Sequence, residues 1–250
     1  MRIIISPAKK MNIDTDSFEI QRLPIFLEET KQLCKAIQEM TLPQVKALWE
    51  CSDKLAALNY DRFTDMRLEE RLTPAILSFE GLQYQHMAPM VFTEEALAYV
   101  EEHLRILSGF YGVLTPFTGV TPYRLEMQAK LSVEGKKDLY EFWGDKLYRT
   151  VISEDHVIIN LASREYAKAI EQYLSPKDKF ITIEFAEYVD GKVKQKGTWA
   201  KMARGEMVRF MAEHQVSNIE QIKAFNVLGY KYREDLSTDT RMIFIRTDSE

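Results

Sequence analysis

The chain has 250 residues, 46% of them hydrophobic and 28% charged, with a formal net charge of −5 at pH 7. A chain of this length buries a full core without disulfides or a structural metal, and its acidic balance excludes a basic footprint over the whole surface, so any anion site has to be a local patch. Its two cysteines, Cys34 and Cys51, fit a reducing compartment, and no CxxC or His/Cys spacing indicates zinc.

The opening segment MRIIISPAKK carries an apolar run from Ile3 to Ile5, too short for a signal peptide or a membrane span. A cytoplasmic location away from membranes is expected. No repeat, linker or low-complexity stretch divides the sequence, which predicts one domain over 1–250. Arg2 to Ile5 reads as a buried strand stopped by Ser6-Pro7. Pro24 to Met40 has helical spacing, with Leu27, Leu33 and Ile37 on one face. A helix starting at Pro43 runs through Trp49, and Asp53 caps a third through Leu58. Thr93 is placed to cap a helix to His103, with Glu94 and Glu95 in its first turn. Leu104 to Leu107 and Val157 to Ile159 are further short strands, the latter leading into a helix from Ser163 to Tyr173. Phe180 to Val189 reads as a longer strand, and Asp190-Gly191 turns it into a return strand, Lys192 to Lys196. Helices from Thr198 to His214 and Ser217 to Ala224 and a strand from Met242 to Ile245 complete the chain. This alternation predicts an α/β fold, a mixed or parallel sheet flanked by helices, with a helical subregion in the N-terminal half.

Three strands, IIIS, RILS and VIIN, end in a small hydrogen-bonding residue: Ser6, Ser108 and Asn160. Ligands of open α/β sheets bind outside the carboxyl ends of parallel strands, so these three are expected to face one crevice, with Ser163 at the next helix start beside them. The alternative is that they cap turns. Lys9 and Lys10 follow the first strand, where Pro7 stiffens the turn; solvated lysines are the plain alternative. In KGTWAKMARG, Thr198 is a candidate N-cap, and Lys201 and Arg204, three apart, share a helix face where the dipole and free N–H groups favour an anion. Gly205 costs about 1 kcal/mol in a helix relative to Ala, which calls for close approach of a backbone or a ligand.

In PYRLEM, Tyr123, Arg124 and Glu126 put a hydroxyl, a guanidinium fork and a carboxylate together, the last a base or a cation's partner. YEFWGD adds an aromatic wall and Asp145, a second acid–base candidate or else an N-cap. Leu42 to Phe63 predicts two helices with a tight link at Cys51-Ser52. A helix–hairpin–helix that grips a DNA backbone normally has glycines there. This link has none, and Glu50, Asp53 and Asp61 offset Lys46, Lys54 and Arg62, which favours a plain helical hairpin.

Taken together, these segments resemble the YaaA-type peroxide-stress-resistance proteins of bacteria. The resemblance rests on ISPAKK, SDKLAALNYDRF, PAILSFEGLQY, LRILSGFYGVLTP, PYRLEM, LYEFWGD, INLASREY, WAKMARGEMVRF and FNVLGYKY, in order over nearly the whole chain. One departure is Gln128-Ala129, where the pattern leads us to expect Gly-Thr or similar. The resemblance implies a role in hydrogen peroxide stress, by lowering free iron and limiting oxidative DNA damage. It also implies an α/β fold of the family's own, a positively charged cleft, and DNA binding with a helix–hairpin–helix-like element. It transfers no defined reaction.

Two function classes follow. One is a stress protein holding double-stranded DNA or a phosphate-bearing small molecule at Ser6, Lys9, Lys10, Ser108, Tyr123, Arg124, Asn160, Ser163, Lys201, Arg204 and Gly205. The other is an enzyme acting on a nucleotide, nucleobase or other small anion in the same cleft, with Glu126 or Asp145 moving protons. Direct iron chelation is the weakest reading, because four His and two Cys are dispersed. The residues name no cofactor and no partner protein.

Overall fold

Ile3, Ile4 and Ile5 are fully buried because the strand that carries them, β1 (Arg2–Ile5), has a parallel partner on either side. Burial on both faces is what turns a strand into a continuous apolar run. The computed structural model describes residues 1–247. The remaining strands of its main sheet are β2 (Leu104–Ser108), β3 (Gly112–Leu114), β4 (Val157–Asn160), β5 (Lys179–Val189), β6 (Lys192–Lys194), β7 (Tyr230–Tyr232) and β8 (Arg241–Arg246). Among the described residues they form an eight-stranded sheet in the order β7-β8-β5-β4-β1-β2-β3, with β6 paired to β5. The five strands from β8 to β2 run parallel, and β3, β6 and β7 are antiparallel to their neighbours. The sheet is therefore mixed and mostly parallel, with helices packed around it, the α/β class expected.

The register fixes where a site can form. Ile5 lies opposite Ile106, and Ile4 opposite Asn160, so β1, β2 and β4 end together at one edge. From β1 the chain goes to β2 on one side; from β4 it goes to β5 on the other. Neighbouring strands whose connections leave in opposite directions open a crevice at their carboxyl ends.

Among the described residues the α-helices of five or more residues are α1 (Leu27–Gln38), α2 (Leu42–Trp49), α3 (Asp53–Thr64), α4 (Leu82–Met87), α5 (Glu94–His103), α6 (Leu139–Trp143), α7 (Lys146–Val151), α8 (Arg164–Glu171) and α9 (Gly197–Glu213). The first five lie between β1 and β2, the helical subregion expected. The Thr93 hydroxyl accepts the Ala96 N–H at 3.2 Å, as a cap should. Two other caps fall elsewhere. Ser52, with extended backbone, precedes α3 in place of Asp53, and α3 runs on to Thr64. Helix α9 begins at Gly197 after an extended Lys196, so Thr198 is already helical and does not cap it. The Asp190-Gly191 turn has φ of +53° and +71°, the double left-handed geometry of a two-residue hairpin, and β6 ends at Lys194. No helix among the described residues is long and apolar enough to cross a membrane.

The link between α2 and α3 is tight, with Glu50 left-handed at φ +44°. Trp49 stacks on Phe63 at 5.6 Å between ring centres, and Lys46 pairs with Asp53 at 2.5 Å across the link. The hairpin thus spends its aromatic faces on the core and one lysine on the first turn of its second helix.

Candidate functional site

A cleft of about 510 Å³ opens at the carboxyl end of β1, toward β4. Its first wall is the turn after β1. Ser6 is fixed there by three hydrogen bonds. Its Oγ accepts the Ser163 N–H at 2.8 Å and donates to Ser163 Oγ at 3.1 Å, and its carbonyl accepts the Tyr84 hydroxyl at 2.9 Å. This ties the start of α8 and the side of α4 to the end of the central strand.

The second wall is the segment from Tyr123 to Met127. Its alternation is that of an extended chain: Tyr123, Leu125 and Met127 enter the core, while Arg124 and Glu126 carry charge into the cleft. The segment lies so close to the turn after β2 that a Cβ on Gly109 would sit 2.6 Å from the Leu125 carbonyl oxygen. Arg124 is 8% exposed. Its Nη2 is 3.2 Å from Glu126 Oε1 and 3.4 Å from the Trp49 carbonyl, and its Nε has no partner among the described residues. Lys9 Nζ reaches the same Glu126 oxygen at 3.1 Å. Lys10, at the rim, pairs with Glu80 at 2.6 Å.

The remaining walls are the starts of α4 and α8 and one face of α9, which contributes Lys201 and Arg204. Among the described residues neither of these cations has a carboxylate within 4 Å. Arg204 also has a buried Nε without a partner, and burial depresses its pKa, with Glu184 opposing that. Gln83 adds a buried amide nitrogen without a partner. In all, five cations and three carboxylates, Glu80, Glu126 and Glu165, line the cleft.

Of the residues singled out from sequence, Ser6, Lys9, Lys10, Tyr123, Arg124, Glu126, Ser163, Lys201 and Arg204 lie on this one cleft. Four do not. Ser108 is fully buried, because its Oγ bonds the Tyr123 hydroxyl at 2.7 Å and accepts the N–H groups of Phe110 and Tyr111. The Tyr123 segment has closed over the end of β2. Asn160 faces an adjoining hollow, where its amide donates to Thr182 Oγ1 at 3.1 Å and its carbonyl oxygen caps Ala162 N–H. Gly205 serves packing: a Cβ there would fall 2.1 Å from the Gln83 carbonyl oxygen of α4. Asp145 lies away from the cleft, bonded to Arg149 at 2.6 Å one turn along α7.

Sequence reasoning missed Glu165, Glu80 and Gln83. Glu165 sits in the first turn of α8, where an acidic residue reads as ordinary dipole complementarity. Only the fold brings the 126–128 segment against it, with the Gln128 N–H donating to Oε1 at 3.2 Å. Neither cysteine lines the cleft, and burial pushes the Cys34 thiol up to about 11, away from thiolate chemistry at neutral pH.

Residues 1–236 match the family model of the peroxide stress protein YaaA. The chain belongs to this family. Among YaaA-family relatives, a UPF0246 protein of Agathobacter rectalis is 54% identical over 246 residues, covering 98% of this chain and 99% of its own length. A UPF0246 protein of Pediococcus pentosaceus is 52% identical over 248 residues, with 99% of each chain covered. One of Lactiplantibacillus plantarum is 54% identical over 245 residues, covering 98% of this chain and 99% of its own. Membership of the YaaA family ties the chain to the peroxide stress response.

Proposed function

We propose that this chain is a cytoplasmic peroxide-stress protein that limits iron-dependent oxidative damage by holding a phosphate-bearing ligand, DNA or a smaller molecule, in the cleft beside β1. The observation that carries the reading is Arg124, 8% exposed with Nε unpartnered. A guanidinium that has lost its water and keeps a free N–H is stabilised most by an oxyanion, which it binds as a fork. Lys201 and Arg204 on the facing helix supply charge that no carboxylate among the described residues has claimed. The exposed Lys9 and Lys10 extend this to the rim.

Titration of unrelated short duplexes and of a mononucleotide, each at two salt concentrations, tests the reading. Duplex binding is expected to fall steeply with salt and to differ little between sequences, because contacts of this kind go to phosphates. Arg124→Gln is expected to lose at least about tenfold in affinity for whichever ligand binds, since charge-assisted hydrogen bonds contribute about 1.5–3 kcal/mol. Wild-type affinity in that variant overturns the proposal. A second reading, an enzyme acting on a small anionic substrate, is favoured by the carboxylates Glu126 and Glu165 inside the cleft, which a phosphate grip alone does not need. Turnover of the mononucleotide, lost in Glu126→Gln, selects it.

A further inference from the structure

Glu126 and Glu165 share the cleft but not their surroundings. Glu126 has Lys9 Nζ at 3.1 Å and Arg124 Nη2 at 3.2 Å, so its charge is neutralised twice. Glu165 has no lysine or arginine nitrogen within 4 Å among the described residues, and its one close hydrogen bond is the Gln128 N–H at 3.2 Å. The groups that face it are Glu126 and the Met127 amide from the Tyr123–Met127 wall, Lys9 from the turn after β1, Tyr140 from α6 and Tyr166 from its own helix. The Tyr140 hydroxyl is spent on the Glu165 backbone carbonyl at 2.9 Å. Burial raises the Glu165 pKa above the ordinary carboxylate value; the Gln128 N–H pulls against this, Glu126 adds to it, and Lys9 opposes it.

Two carboxyls in one cleft, one held between two cations and the other facing none within 4 Å among the described residues, take different roles. We infer that Glu165 is the proton donor of this cleft: it meets a bound anionic oxygen as a neutral carboxyl and gives it a hydrogen bond, while Glu126 is the anchor of Lys9 and Arg124. This rests on the reading of the cleft as a phosphate site and adds that binding takes up one proton. An arriving anion places a second negative charge beside Glu165. Like charges in a partly buried site favour protonation of one of them, and the protonated carboxyl then donates where it had repelled. The site thereby selects ligands that present a bare oxyanion, and it grips them best on the acidic side.

The probe is inorganic sulfate, which has no titrating proton of its own across the neutral range. Binding is measured by calorimetry over a series of pH values, in two buffers of different ionisation heat. For the wild type, affinity is expected to fall about tenfold per pH unit above the Glu165 midpoint, with one proton taken up per sulfate bound. Glu165→Gln, neutral at every pH and still able to accept the Gln128 N–H, is expected to bind with no proton uptake and no such slope. A second readout on the wild type alone is the midpoint of the Glu165 ¹³C carboxyl resonance, which is expected to rise when sulfate is added. Sulfate binding without proton uptake, uptake unchanged in Glu165→Gln, or an unmoved midpoint overturns this inference and leaves the anion-site reading standing. If the wild type binds no sulfate at all, both fall.

Discussion

Asp178 and Glu165 sit at opposite ends of the same parallel strands, and the protein treats the two carboxyls in opposite ways. Asp178 just precedes β5; the residue is half-buried, with its side chain covered from solvent. Its oxygens accept the Ser175 N–H at 2.6 Å and the Tyr148 hydroxyl at 2.8 Å, and lie 2.7 Å from His156 Nδ1. Burial alone would raise its pKa, but these bonds outweigh burial and hold the carboxyl down to about 2. The same end carries the ion pair of the terminal ammonium with Asp155 and the contact of His103 Nδ1 with the Met1 carbonyl at 2.9 Å. At the other end, Arg124, Arg204 and Gln83 each keep a buried nitrogen without a partner among the described residues, and Glu165 is raised where Asp178 is lowered. A polar group whose partners are all supplied by the fold contributes to holding the fold. One whose partners are missing is stabilised by what binds.

The sharpest way to break this comparison is to remove Asp178. Asp178→Ala leaves three partners facing an empty site and is expected to lower stability by on the order of 3 kcal/mol at pH 7. The sign with pH follows from the depressed carboxyl. Its contribution is complete above the ordinary value of 3.8 and is lost as pH falls toward 2, so the gap between variant and wild type closes in acid. Denaturant unfolding at pH 7 and near pH 3 checks it; a gap that does not narrow in acid assigns the loss to packing.

Gly205 sharpens the comparison from the cleft side, because there the frame and the site meet. Gly205→Ala drives a methyl into the Gln83 carbonyl, and overpacking of this kind costs about 1–3 kcal/mol. Since Gln83 lines the cleft, ligand affinity is expected to fall with the melting temperature. A variant that loses one without the other separates the α4–α9 crossing from the site. The smallest effect on stability is expected at the unclaimed cations. Lys201→Ala and Arg204→Ala should leave the fold within about ±0.5 kcal/mol, and removing the desolvated Arg204 raises stability if it does anything. Both should nonetheless weaken anion binding and peroxide survival in a complementation assay. Normal complementation by both takes α9 out of the working surface.

The strand ends were readable from the sequence because each strand carries its own signal: a short apolar run and the residue that stops it. The crevice reading supposed that β1, β2 and β4 are parallel neighbours, as they are, and Ser6 lies on the cleft for that reason. Ser108 did not, because its environment is set by Tyr123, fifteen residues on, folding back over it. Asp145 misled for a local reason. Its partner, Arg149, is four residues along the same helix, and such spacing marks a pair that satisfies itself. Glu165 was hidden for the converse reason. Its neighbours come from segments some forty and one hundred and fifty residues earlier, and no periodicity in its own helix records them. Gly205 was legible as an anomaly in a helix, although the sequence left open whether a ligand or a backbone had come close.

The central position of β1 has a consequence for how the chain is made. Residues 2–5 must hold an apolar, unpaired segment until Leu104–Ile106 and then Ile158–Asn160 exist to close its two edges. At about 5–20 residues per second of synthesis, the second partner arrives roughly 8–30 s after the first strand. Pairings this distant in sequence form slowly and keep strand edges open in the meantime. The nascent chain is therefore exposed to aggregation over that interval, and a chaperone holding the β1 segment would raise the yield of folded protein more than one acting after release.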